Sequence, residues 1–119
     1  MKIIYTLALI LFLAFPLAMF SLWGQFLAVT ALMRARDAGS LTKPAEFIGK
    51  IVLAIGYLSD FLVNALVCTV LFLELPREWV VTARVSRHKK NSTGYRQALA
   101  SWVCLNLLDP FDPSGCHCK

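Results

Sequence analysis

The chain has 119 residues, 58% of them hydrophobic, with a mean hydropathy of +0.64 and a formal net charge of +5. A water-soluble domain of this size buries too small a share of its chain to hide that much apolar surface, so the composition excludes an ordinary soluble fold and points to lipid as the covering medium. The basic excess is uneven: six Lys or Arg lie between Arg77 and Arg96, with Glu78 the only acid among them.

The first apolar run, Ile3 to Trp23, carries no charge over 21 residues. As a helix it measures about 31 Å at ~1.5 Å per residue, close to the ~30 Å hydrocarbon core of a bilayer. Tyr5 and Trp23 fall near its ends, where aromatic side chains favour the interface. Pro16 lies inside it and predicts a kink. The pattern continues to Met33, so residues 1–33 form the first transmembrane helix and an extension that tilts, lies along the interface or emerges into water. A cleaved signal peptide is the rival reading, but the apolar stretch is long for one and Pro16-Leu17-Ala18 is a poor cleavage site.

A polar link follows over residues 34–50, with a turn signal at Ala38-Gly39-Ser40 and Pro44 suited to open a short helix. The second span is read over residues 51–75, closed by Pro76 and Arg77. Asp60, close to its centre, costs about 2.5 to 3.5 kcal/mol on the insertion scale, which its many Leu, Ile, Val and Phe residues offset. Gly56, Asp60, Asn64 and Cys68 repeat every four residues and so share one side of the helix. Helix contact is the favoured reading, within the hairpin or between copies, because Gly allows close approach and Asp and Asn hydrogen-bond across. A cation or proton path is the alternative.

Residues 76–119 form the tail. A basic helix is expected from Pro76 to Lys90, with Trp79, Val80 and Ala83 on one face. Asn91 to Gly94 breaks it, and a second helix from Tyr95 to Leu108 gathers Tyr95, Ala98, Leu99, Trp102, Val103 and Leu105 on an apolar arc, leaving Cys104 on the other side. Arg77, Trp79, Arg84, Arg87, Lys89, Lys90, Arg96 and Trp102 are the candidates for contact with the membrane surface or a partner. The irregular end holds Cys116-His117-Cys118. With Cys104 these offer a weak zinc set, against free reduced thiols and lipidation. No other cofactor, no catalytic motif and no nucleic-acid partner is expected.

A hairpin puts both ends on one side, where eight basic residues including Lys119 stand against four in the link, Arg34, Arg36, Lys43 and Lys50. The positive-inside rule then favours cytoplasmic termini, consistent with reduced thiols. The expected architecture is all-α: a two-helix transmembrane hairpin followed by a basic, partly amphipathic helical tail.

The segments ELPREW (74–79), ARVSRHKK (83–90) and GYRQALASWVCLNLLDPFDPSGCHC (94–118) resemble small inner-membrane proteins encoded by phages and prophages of Gram-negative bacteria. The resemblance covers the second half of the chain. It implies a phage origin and an inner-membrane location but no chemistry. The function expected is non-enzymatic: binding of a host or phage membrane protein, or of lipid head groups, at the cytoplasmic face, as a regulator or superinfection-exclusion factor does. Homo-oligomers fit this reading. A holin-like pore-forming lysis protein is the alternative, and a metal-binding or ion-conducting membrane protein the third.

Overall fold

The computed structural model describes residues 1–118; Lys119 lies outside them. The described chain is all-helical, with α1 at Lys2–Asp37, α2 at Lys43–Phe72, α3 at Val81–Asn91 and α4 at Tyr95–Val103. A wider π turn, Cys104–Leu108, and a short 3-10 turn, Asp109–Phe111, extend α4. Both α1 and α2 are long and apolar enough to cross a bilayer.

Helix α1 runs unbroken through Pro16 for 36 residues, about 54 Å at ~1.5 Å per residue, which matches the 55 Å long axis of the molecule. It extends past the expected end at Met33 and takes in Arg34 and Arg36, whose charges suit a helix C-terminus. The link is therefore shorter than the sequence implied. Only residues 38–42 are non-helical. Gly39 turns the chain with φ +70°, and the Thr42 hydroxyl accepts from the Ala45 N–H to cap α2, with Pro44 inside its first turn.

The two long helices return alongside each other. A methyl of Leu32 lies 3.3 Å from where a Gly49 Cβ would stand, and Gln25 Oε1 lies 3.8 Å from the corresponding point at Gly56. Farther along, the buried face of α2 (Val63, Asn64, Val67, Cys68 and Phe72) meets the tail. Val81, Val85, Ala100, Cys104 and Cys118 complete that core, with Phe15, Ala18, Met19 and Leu22 of α1 packed against it. In contrast, every residue from Met1 to Ala14 is exposed.

The tail departs from expectation at its start. Residues 73–80 are not helical. Leu73 ends α2 in the left-handed region at φ 49°, and Pro76 has no N–H to offer a helix. The strap then doubles back over α2, held where the Asn64 amide donates to the Glu78 carbonyl. Helix α3 starts only at Val81, whose N–H donates to the Asp60 carboxylate at 2.7 Å. Its buried face is Val81, Arg84, Val85 and His88, not the expected face of Trp79, Val80 and Ala83.

Candidate functional site: a polar clasp, an apolar cleft and a stapled terminus

Three of the four stripe residues on α2 touch the tail or the first helix in ways that explain their types. Asp60 supplies an acceptor to the first N–H of α3, a helix that has no side-chain cap of its own. Asn64, 1% exposed, donates to the strap and lies under Arg84. Gly56 faces Gln25 across the helix pair. Cys68 is buried as a free thiol within the core. The stripe thus makes helix contacts, but chiefly with the tail rather than within the hairpin.

Arg84 is the centre of the clasp and is wholly buried. Its guanidinium donates to the Asn64 carbonyl at 2.8 Å and to the Glu74 carbonyl, and it sits 5.8 Å from the centroid of the Phe72 ring. His88, one turn on, stacks on the same ring at 4.4 Å and meets Ser92 through Nδ1 at 2.6 Å. Burial holds the His88 imidazole below its ordinary pKa of 6.5, with the Arg87 charge adding to the effect and Glu74 opposing it. Arg87 forms ion pairs with Glu74 and Glu78. Its hydrogen bond to Glu78 holds that carboxyl below the usual range despite partial desolvation. Arg96 donates to the Phe72 carbonyl at 2.8 Å and the Leu73 carbonyl at 3.1 Å, closing the C-terminus of α2 where a cation is favoured.

These contacts correct the expectation for the tail's surface. Arg84, Arg87 and Arg96 turn inward: Arg84 and Arg96 hold the tail to α2, and Arg87 ties α3 to the strap. Arg77, Trp79, Lys90 and Trp102 remain exposed, and Lys89 is half-buried. Arg77 pairs with Glu74, and Trp79 stacks on Phe61. On α4 and the π turn after it, Tyr95, Ala98, Trp102 and Leu105 form the outward stripe, whereas Leu99, Ala100 and Val103 point to the core.

The terminus is also corrected. Cys104 and Cys118 form a disulfide, so neither is a free thiolate for zinc. Cys116 is free and exposed. His117 pairs with the Asp112 carboxylate through Nδ1 and with the Thr82 hydroxyl through Nε2. No group of three or more possible metal ligands converges among the described residues. The disulfide also removes the argument that reduced thiols mark a cytoplasmic tail, because such bonds persist in oxidising compartments. Cys104 lies opposite Tyr95, Trp102 and Leu105 as the helical wheel has it, but that side, one turn on from the buried Ala100, is the one that faces the core.

The staple shapes a larger arrangement. Asp109 accepts the N–H groups of His117 and Cys118. Hydrogen bonds from Ser114 and His117 hold the Asp112 carboxyl down to about 2. The segment docks on α1, where Trp23 Nε1 donates to the Leu107 carbonyl at 2.9 Å and Arg34 to the Phe111 carbonyl at 2.8 Å. Phe26 meets the His117 ring edge-on at 4.8 Å. Between α1, α2 and this segment lies a cleft of about 470 Å³, mostly apolar, with Gln25, Asp60, Thr82 and His117 in its wall.

Sequence reasoning missed Phe72, Glu74, Glu78 and His88 as partners of the basic run, and Gln25, Asp109 and Asp112 as polar anchors. The available signal was Val81, Arg84, Val85 and His88 at helical spacing, which marks one face whatever its polarity. Compared with known proteins, the chain matches no family model, no curated protein and no solved structure.

Proposed function

We propose that this is a non-enzymatic membrane protein that acts by binding a partner protein through its docked tail. The observation that carries the membrane reading is the continuous exposure of Met1 to Ala14, an apolar helical rod with no protein around it. Water is a poor medium for such a surface and lipid a good one. The docked tail offers Tyr95, Trp102 and Leu105 outward, each more than half exposed. Aromatic side chains suit a protein contact. The inward turn of Arg84, Arg87 and Arg96 weakens the case for lipid head groups as the main target. The phage origin suggested by the tail rests on the resemblance of its own segments.

Induced expression with a potential-sensitive dye tests binding against pore formation. Silent accumulation is expected; abrupt depolarisation and lethality would assign a holin-like role instead. The stripe of α2, being engaged with the tail, does not favour an open pore. A photoreactive residue at position 102 should give one discrete protein adduct in the membrane. Lipid adducts alone would transfer the role to head groups.

We further place the tail on the oxidising, extracytoplasmic side. The Cys104–Cys118 bond supports this reading, and the count of basic residues opposes it. A membrane-impermeant maleimide on intact cells should label exposed Cys116. If labelling requires lysis, the tail is cytoplasmic.

A further inference from the structure

We propose that the cleft between α1, α2 and the stapled terminus is a binding site for a single-chain amphiphile whose head donates hydrogen bonds. Its volume of about 470 Å³ falls within the ~300–1,000 Å³ of small-molecule sites, which are mainly apolar with a few placed polar groups. Leu22, Trp23, Phe26, Leu53 and Leu107 supply the apolar wall, and the exposed Tyr57 stands at its rim.

The head chemistry follows from which polar valences stay open. Both ring nitrogens of His117 are engaged, by Asp112 and Thr82. Gln25 uses its amide nitrogen on Ser21 of its own helix, and its Oε1 is buried with no donor. Asp60 engages one carboxylate oxygen with the Val81 N–H, and the other accepts no hydrogen bond among the described residues. The buried polar atom left open in the wall, Gln25 Oε1, is therefore an acceptor, and the free Asp60 oxygen is a second. A buried acceptor without a donor is destabilising until a ligand supplies one. A hydroxyl head has one proton to donate to either and an ammonium head has three N–H groups to offer, whereas an ionised carboxylate head brings only more acceptors. Gly56 leaves the floor open where Gln25 Oε1 approaches it.

The test uses the full chain, delipidated in a mild micelle, with three probes sharing one C18 chain: oleyl alcohol, oleylamine and oleate at pH 8. Native mass spectrometry counts the probe retained per chain. One equivalent of the alcohol and of the amine should be retained at saturation, with oleate at least tenfold weaker. Gln25→Leu should weaken the alcohol and the amine about tenfold, and it removes no tertiary hydrogen bond. Asp60→Asn should weaken the amine more than the alcohol, and Gly56→Leu should lower retention of both. Equal, unsaturable uptake of all three probes would overturn the proposal, as would full retention by Gln25→Leu. Should Asp60→Asn loosen α3, the Gln25 variant still decides the matter.

Discussion

The first turns of α1 and the junction of α2 with α3 reverse the arrangement of a soluble protein. Between Met1 and Ala14 the apolar side chains face outward without cover. At the junction, Asn64, Arg84 and His88 are almost fully enclosed. The contrast shows that burial in this chain does not follow hydrophobicity alone. Lipid can take the exposed rod, while charged and amide groups must find partners inside the protein.

The largest test of this contrast is Arg84→Ala. It takes the guanidinium from the Asn64 carbonyl and side chain and from the Glu74 carbonyl, and leaves a void beside Phe72. It should loosen the tail by roughly 3 kcal/mol. Protease cleavage of the strap at residues 73–80, far faster than in the parent protein, reports it. A charge placed in the rod, Leu9→Lys, should leave the strap protected and instead release the protein from membranes on alkaline extraction. Unchanged strap cleavage in Arg84→Ala would erase the distinction between the two regions.

Next comes the staple. The Cys104–Cys118 pair closes a loop with a sequence separation of 14, for which the chain-entropy estimate is about 3 kcal/mol and strain or residual structure commonly reduces it. Reduction, or Cys104→Ser with Cys118→Ser, should lower the thermal midpoint and free the contacts of Trp23 and Arg34, with the rod unaffected. A reductant-insensitive midpoint would show that the terminus docks without its covalent tie.

Acid should loosen the clasp in stages. Because folding lowers the pKa of His88, its neutral form stabilises the clasp above the ordinary value of 6.5, and that contribution falls as pH drops towards the folded pKa. Glu78 is likewise lowered, so its share is present above 4.5 and is lost as pH falls through its folded value. Asp112, in the stapled terminus, loses its share there between 3.8 and about 2. His88→Gln should remove the first stage of a pH titration of strap cleavage and leave the Glu78 stage. The smallest effect is expected from Trp102→Ala, within about 0.5 kcal/mol in stability as for an exposed site, with loss of the position-102 partner contact as its readout.

Much of the two long helices was legible because hydropathy and length act locally. The Asp60, Asn64 and Cys68 spacing also identified a contact surface. Its partner was not legible, since Val81, Arg84 and the strap reach it only after the chain reverses at Leu73. The basic run misled because cationic residues are ordinarily solvated. Here backbone carbonyls, Glu74 and Glu78 draw three arginines inward. The cleft was hidden for a similar reason: Gln25, Asp60, Thr82 and His117 lie on four separate stretches of sequence.

Helix α3 begins on an acceptor borrowed from Asp60, 21 residues earlier in the chain, and has no side-chain cap of its own. Its eleven residues are fewer than the ~12–15 at which even favourable isolated helices are marginal in water. During synthesis, therefore, the emerging tail has no stable helix to offer until the second long helix is in position. The order of assembly is written into a single carboxylate, and docking and winding of α3 become one event.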